Sequence, residues 1–393
     1  MNVLLCSDAN DAAPYQGGMP FGDGVILVTW TSFGVYSGRL TVECSLTDPR
    51  RIGRFPLSSP DSAHPRYADL CERTPPKPTE FTVSAGRANA VIVVQLTTDN
   101  YQSGIGYTSA FACVDGFRNT SSLNNTNAAI SSNLVVVATD AAGKFCVKSQ
   151  QPTDLVVDVM GTLTGASISS PIRVLDTRTA GGRGTDFRVH IGPASATVVL
   201  QVTTDNYTGG TGFTSAYDCT TGLQGTSSLN NKASPIASNT VIAHTDSKGD
   251  VCVKSQAVTD LIVDLVGTLA NTSTIAAPQR VLDTRIVGSR AKQFNVHVGH
   301  PNSVVVVQVT TDNYDTGTGY TSVYACATGF QNTSTLNNTG NPVASNLAMV
   351  PTDANGDICI DAQHATDLIV DLLGTISDAN IHSPVRVLDT RSN

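Results

Sequence analysis

The stretch VVQLTTDNY at 93–101 decides how this chain is interpreted, because it recurs as VLQVTTDNY at 199–207 and as VVQVTTDNY at 306–314. The steps between the copies are 106 and 107 residues. A run of β-branched and apolar residues that ends in Asp and Asn is typical of a short β-strand followed by a turn. Three copies in one register predict three copies of one strand-rich module.

Two further landmarks keep the same register. The hexapeptide RVLDTR stands at 173–178, 280–285 and 386–391. A pair of cysteines 33 residues apart occurs once in each copy, namely Cys113 with Cys146, Cys219 with Cys252, and Cys326 with Cys359. The three landmarks together indicate repeats of domain size. Such repeats favour a repeated binding surface over a repeated active site.

The repeat is long enough to make each copy a domain. A unit of 106 or 107 residues can bury its own core and exceeds a solenoid repeat in length, so we expect the modules to follow one another like beads on a string. The predicted divisions are an N-terminal β-hairpin region or degenerate partial repeat at 1–78, and repeat modules at 79–178, 179–285 and 286–393, the last with a terminal RVLDTR strand.

Composition argues against two classes of partner. Only 14% of the residues are charged and the formal net charge is −8. No basic patch is visible, which argues against a nucleic-acid partner. No apolar run approaches the roughly 18 residues of a membrane span.

The cysteine pairs predict one disulfide within each module, in preference to buried free thiols, because both members recur in all three copies. Disulfides need an oxidising compartment, so we expect an extracellular or cell-surface protein. A zinc site is not expected, since two cysteines per module lack two partner ligands and no histidine recurs in all three copies. We predict neither a metal nor a cofactor.

The N-terminal region leaves several alternatives open. Residues 1–16 lack the basic and apolar segments of a secretory signal, so a signal has been removed, the start is misplaced, or the protein leaves its cell by lysis as virion proteins do.

The hairpin-like stretch at 24–45 resembles the segment before each first module cysteine. One alignment matches Cys44 and Cys71 to the module pair, at a spacing of 27; the other sets LCERT at 70–74 against LDTRT. Cys6 is the candidate for an unpaired or intermolecular thiol.

The apolar runs of the modules are short and β-branched, and clusters of Gly, Asn, Asp and Ser separate them. Short strands at regular spacing are typical of a β-sandwich or barrel. No helical period is visible over eleven residues or more. We therefore predict an all-β protein of three tandem disulfide-bonded sandwich-like or barrel-like modules, with a partial β region before them.

TDLIVDLVGTL at 259–269 has apolar residues on both faces, with Asp260 and Asp264 on one of them. This pattern predicts a strand central to its sheet, with Asp264 paired to an arginine of a neighbouring RVLDTR strand such as Arg285. The aspartates and last arginines of RVLDTR are structural ion-pair candidates: Asp176, Arg178, Asp283, Arg285, Asp389 and Arg391.

The recurrent Asp-Asn-Tyr tract has two interpretations. Its oxygen atoms and its tyrosine suit a calcium or sugar site, at Asp99, Tyr101, Asp205, Tyr207, Asp312 and Tyr314. A turn is favoured, because Asp and Asn cap turns through their own side chains. Tyr107, Phe213 and Tyr320 are likewise expected to be strand residues rather than a carbohydrate platform. No catalytic constellation recurs, so we do not predict an enzyme.

These motifs in order resemble a repeat family of exported actinobacterial proteins. The family pattern runs RVLDTR, GYLTVYPC, SNLN, NLVVVP, GxVCLYN and LIVDVxGYF. The second copy shows RVLDTR at 173–178, GFTSAYDC at 212–219, SSLN at 227–230, GDVCVKS at 249–255 and LIVDLVGTL at 261–269. The resemblance covers about residues 80–391 in three copies. It departs at the closing Gly-Tyr-Phe, which reads Gly-Thr-Leu at 161–163.

The resemblance implies a non-catalytic extracellular module with a role in cell-envelope attachment. We therefore predict a structural or adhesive surface protein whose partner is itself, as a homo-oligomer or fibre, or a cell-envelope glycan. One alternative is a virion structural protein, a fibre or head or tail decoration, of a phage that infects an actinobacterium. Another is a targeting module of a cell-wall hydrolase.

The chain ends on a copy of RVLDTR (386–391) with no module behind it. This segment is expected to be the final strand of the preceding domain, or else to pair with the edge of another subunit as donated strands do. An end-to-end fibre follows from the second expectation.

Overall fold

The computed structural model describes three strands before residue 46, and residues 78–391 apart from 103–104, 127, 129, 233, 271–272, 316–317 and 341–342. The chain divides into two compact units, Met1–Pro76 and Lys77–Asn393.

The first unit contains a three-stranded antiparallel sheet. Its strands are β1 (Gln16–Phe21), β2 (Gly24–Ser32) and β3 (Gly38–Ser45), with β2 in the middle. Cys6, Cys71 and residues 70–74 lie outside the described residues, and so does the side chain of Cys44. The pairing of these cysteines and the choice between the two alignments stay predictions.

Strands are the main secondary structure of the second unit over its described residues. Module 1 contains β4 (Glu80–Ser84), β5 (Val91–Asp99), β6 (Ile105–Phe111), β7 (Leu123–Thr126), β8 (Ser131–Ala138), β9 (Lys144–Ser149) and β10 (Asp154–Leu163). Module 2 contains β11 (Ser167–Asp176), α1 (Thr177–Ala180), β12 (Gly184–His190), β13 (Thr197–Asp205), β14 (Thr211–Asp218), β15 (Leu229–Lys232), β16 (Ala237–His244) and β17 (Asp250–Thr268). Module 3 contains β18 (Thr274–Asp283), α2 (Thr284–Val287), β19 (Ala291–His297), β20 (Val304–Asp312), β21 (Thr318–Tyr324), β22 (Leu336–Thr339), β23 (Ala344–Pro351) and β24 (Asp357–Ile376). The final strand is β25 (Ala379–Asp389), and 3-10 turns lie at Cys113–Asp115 and Cys326–Thr328.

Each module is a nearly closed, barrel-like pair of antiparallel sheets. In module 2 the long strand β17 belongs to both sheets: its first half pairs with β12 and β14, and its second half pairs with β11 and β13. β15 extends one sheet beyond β14, and β16 extends the other beyond β13. Module 3 repeats this order, whereas in module 1 two strands, β9 and β10, take the place of the one long strand. The all-β prediction is confirmed, and so is the central place of the strand at 259–269.

The RVLDTR strands connect the modules. β11 follows β10 of module 1 along the chain but pairs with β17 of module 2, and β18 pairs with β24 of module 3 in the same way. The predicted boundaries at 178 and 285 are therefore displaced, because each RVLDTR strand completes the sheet of the module that follows it.

The last RVLDTR strand closes the unit on itself. β25 pairs antiparallel with β10 of module 1, from Ala379 opposite Leu163 to Asp389 opposite Val156. Both expectations for this segment are wrong in this structure, since its partner is neither the preceding module nor another subunit. The physical reason is that β10 offers a row of edge amide and carbonyl groups. In modules 2 and 3 the equivalent edges belong to β17 and β24, and β11 and β18 pair with them.

The three modules share one core besides their own. Each module encloses an apolar cluster, and a fourth cluster takes buried side chains from all three modules and from β25. Its members include Val93, Met160, Val199, Val266, Val306, Leu373 and Ile381. The modules are therefore not beads on a string but parts of one closed unit.

The second core explains the sequence of the recurrent strand. In β5, Ile92, Val94 and Leu96 pack into the core of module 1, whereas Val93 packs into the shared core. Both faces of the strand are buried, so the sequence is nearly continuously apolar. Burial of one such side chain contributes about 1.5–3 kcal/mol.

Buried amide side chains tie the modules together at the shared core. The amide nitrogen of Gln95 donates to the carbonyl oxygen of Thr335 at 2.9 Å, from module 1 to module 3. The side-chain oxygen of Asn346 accepts from the backbone N–H of Leu134 at 3.4 Å. These contacts satisfy polar groups that would otherwise be buried without partners.

Candidate functional site

The first arginine of RVLDTR holds the buried aspartate of the long strand. In module 2, Arg173 donates from Nε and a terminal nitrogen to the two carboxylate oxygens of Asp264, at 2.8 and 3.1 Å. The predicted partner, Arg285, was wrong, because β11 and not the next RVLDTR strand lies beside β17. Asp264 is fully buried, and burial raises the pKa of its carboxyl even though Arg173 lies against it. The same bidentate contact joins Arg280 to Asp371 and Arg386 to Asp158.

The remaining charges of RVLDTR bind one another at the end of the strand. Asp176 accepts from the backbone N–H of Arg178 at the start of α1, and the two side chains form an ion pair at 2.7 Å. The hydrogen bond from Arg178 lowers the pKa of the Asp176 carboxyl. Arg178 also reaches Asp205 at 3.3 Å. The predicted ion-pair residues recur in this arrangement, as Asp283 with Arg285 and Asp389 with Arg391.

The Asp-Asn-Tyr tract is a turn in all three modules. Asp99 Oδ1 accepts from the backbone N–H of Asn100 at 2.7 Å, and Asn100 adopts a positive φ of 51°, which Asn tolerates better than most residues. Its amide donates to Asp154 at 2.7 Å. The same contacts follow Asp205 and Asp312, so these carboxylates are engaged within the protein.

The tyrosines of this tract are buried against glycines. Tyr101 is 7% exposed, and a Cβ added at Gly106 would lie 1.9 Å from its hydroxyl oxygen. Tyr207 and Tyr314 are buried to the same degree and pack in the same way on Gly212 and Gly319. These rings fill space inside each module and present no platform to a ligand.

The three predicted disulfides are formed, between Cys113 and Cys146, Cys219 and Cys252, and Cys326 and Cys359. Each one fastens the loop after the β6-type strand to the neighbouring β9-type strand. In module 1 Phe111, two residues before the first cysteine, lies opposite Cys146. The disulfide therefore fixes a surface loop on the outer face of the sheet.

That loop exposes an apolar side chain in every module. Phe117, Leu223 and Phe330 are 36%, 44% and 44% exposed and stand four residues after the first cysteine of their copies. Sequence reasoning missed them, although an apolar residue at a fixed distance from a cysteine in a recurrent loop was a usable signal.

Over the described residues, His, Cys, Asp and Glu side chains do not gather in groups of three that suit a metal ion. Within the same part of the chain, no helix has the length and apolar character needed to cross a membrane.

Compared with protein-family models, curated proteins and solved structures, the chain matches none of them. The resemblance to the exported repeat family therefore stays a prediction.

Proposed function

We propose that this chain is a non-catalytic extracellular protein that acts as a structural or adhesive component of a cell surface. One observation carries the proposal: a disulfide-bonded module occurs three times in one closed unit and presents the same outer sheet face three times. Repetition of a surface raises the strength of attachment to a repetitive partner through effective concentration.

The use of the recurrent polar residues supports this proposal. The charged groups of RVLDTR bind one another and the buried aspartates of the long strands. The polar side chains of the Asp-Asn-Tyr tract form hydrogen bonds that hold turns together. The motifs that define the repeat thus build the scaffold, and contact with a partner is left to the outer faces. Disulfides in every module fit a protein that works in an oxidising environment.

The test is co-sedimentation of the purified, non-reduced protein with isolated actinobacterial cell walls, followed by negative-stain electron microscopy. We expect the protein to sediment with the walls and to coat them as discrete particles. A serum albumin of known inertness serves as the control for trapping. Absence from the wall pellet, together with filaments or regular oligomers formed by the protein alone, contradicts attachment and favours the alternative of a virion or fibre component.

A further inference from the structure

The outer face of each module carries an apolar patch beside a charged group. We define the outer patch of module 1 as Phe111, Phe117, Lys148, Tyr107 and Asn119. The rings of Phe111 and Phe117 are 5.9 Å apart at their centroids and tilted by 55°. Lys148 Nζ lies 5.2 Å from the centroid of Phe117. Tyr107 donates its hydroxyl hydrogen to Asn119 Oδ1 at 2.5 Å, so the patch joins ring surface to hydrogen-bonding groups.

Module 3 repeats this patch with different chemistry. Its members are Tyr320, Tyr324, Phe330, Asn332 and Asp361. The rings of Tyr324 and Phe330 are 6.0 Å apart, and Tyr320 donates to Asn332 at 2.9 Å. The hydroxyl of Tyr324 donates to Asp361 at 2.8 Å, where module 1 has Lys148.

The patch of module 2 is the weakest of the three. Leu223 stands where the other copies have phenylalanine, and Gly225 stands where they have Asn119 and Asn332. Lys254 occupies the charged position and pairs with Asp186 at 2.7 Å. The patch keeps its apolar surface but lacks the exposed ring and the asparagine.

The charges point to an uncharged ligand. The charged position of the patch is Lys148, Lys254 or Asp361, so its sign changes among the copies of one repeat, and the whole chain carries −8. Lys148 pairs with Glu80 at 2.7 Å and Lys254 pairs with Asp186 at 2.7 Å, so a carboxylate neutralises the lysine in modules 1 and 2. A polyanion would therefore gain little from these lysines and would be repelled by Asp361, and nucleic acid needs a consistently basic surface. A neutral sugar ring has an apolar C–H face that stacks on an aromatic ring, and its hydroxyls bond to the amide and charged groups at the edge.

The disulfide makes this patch rigid before a ligand arrives. Cys113 opens the loop that carries Phe117, and its bond to Cys146 anchors that loop to the sheet. A ligand therefore meets a ring that is already in place, which avoids the entropic penalty of ordering a loop on binding.

We propose that the outer patches of modules 1 and 3 are glycan-binding sites for neutral pyranose units, with a weaker site in module 2. This inference rests on the proposed adhesive function and names the class of its partner. Two sites on one closed unit bind a long glycan more tightly than either site alone.

The test compares wild type with the double variant Phe117→Ala and Phe330→Ala. Binding of chitotetraose and cellotetraose is measured by saturation-transfer NMR and by calorimetry. Binding to cell walls stripped of anionic polymers is measured by co-sedimentation. We expect the double variant to lose affinity for stripped walls by about tenfold or more. Val114→Ala, an exposed apolar residue in the same loop, is the matched control and keeps wild-type affinity, and Phe117→Tyr with Phe330→Tyr retains most of it.

The outcomes separate this inference from the proposed function. Equal binding of walls by the double variant and wild type overturns the glycan sites and leaves attachment intact. Failure of wild type to bind walls overturns attachment, and the two soluble oligosaccharides still decide whether the patches take sugars. Preference for heparin over both neutral probes contradicts the inference as well. Far-UV circular dichroism and the melting temperature of each variant show that it is folded.

Discussion

The closure of the unit by β25 makes the substitution Arg386→Ala a sharp test of the fold. Arg386 donates to both carboxylate oxygens of Asp158, at 2.9 and 3.1 Å. The residue Asp158 is 1% exposed and the side chain of Arg386 is 37% exposed. Removal of one partner from a buried ion pair is destabilising by about 3–5 kcal/mol, whereas an exposed pair contributes about 1 kcal/mol or less. Since water reaches Arg386, we expect an intermediate loss of about 2–3 kcal/mol.

Urea unfolding at neutral pH, followed by far-UV circular dichroism, measures this loss. Lys254→Ala removes an exposed pair, with side chains 36% and 67% exposed, and is the control with an expected loss of about 1 kcal/mol or less. The double variant Asp158→Leu with Arg386→Met removes both buried partners and should recover much of the stability lost by Arg386→Ala.

The shape of the transition tests the shared core. β25 follows module 3 in the chain and completes the sheet of module 1, so the Arg386→Ala loss should shift one common transition. A second transition, with only part of the signal shifted, would show that the modules unfold independently. A loss below about 0.5 kcal/mol would refute the reasoning, because it is no larger than that of an exposed pair.

Three further predictions follow from other parts of the second unit. Replacement of Cys219 and Cys252 by serine should lower the free energy of unfolding by about 3–4 kcal/mol, as the chain-entropy model gives for a loop of this length; reduced and oxidised wild type provide the check in the same urea titration. Gly374→Ala should destabilise by about 1–3 kcal/mol or prevent folding, because the added Cβ would lie 1.9 Å from a backbone carbonyl oxygen of β18; Gly184→Ala, which meets no atom closer than 3.9 Å, is the control in thermal melts, and similar melting points would contradict this. A hydrogen bond from Arg391 lowers the pKa of Asp389 to about 2. The ionised carboxylate therefore stabilises the fold at pH values above its unfolded-state pKa, and this stabilisation is lost as the pH falls through its folded-state pKa. Asp389→Asn should therefore be less stable at neutral pH and lose less stability than wild type between about pH 4 and pH 2, and parallel acid unfolding curves would contradict that assignment.

Several elements were accessible from sequence because they depend on neighbouring residues. The Asp-Asn pair at 99–100 specifies its own turn through its side chains. The short β-branched runs and the spacing of the cysteine pairs predict the strands and disulfides without knowledge of distant contacts. The burial of Tyr101 over Gly106 agrees with the interpretation of this tract as a turn rather than a ligand site.

The exposed rings were not predicted, because exposure is set by the loop that the disulfide fastens. Phe117 stands four residues after Cys113, and this spacing marks a recurrent loop position but does not tell whether the ring lies on the surface of the sheet or is buried in it. The partner of Asp264 was also assigned wrongly. Sequence showed that an arginine of RVLDTR was available, but only strand order decides that Arg173 lies beside it.

By itself the sequence determined three strand-rich modules, their disulfides and their turns, since these follow from periodicity, spacing and local side-chain chemistry. Tertiary structure alone decided that the modules form one closed unit. The apolar residues on the second face of β5 indicate that this face is buried, but they do not indicate which surface covers it. The edge of β10 can pair with any strand of suitable register. Packing of Val93 with Val199 and Val306 in the shared core, and pairing of β25 with β10, settle both questions because they join residues more than a hundred positions apart.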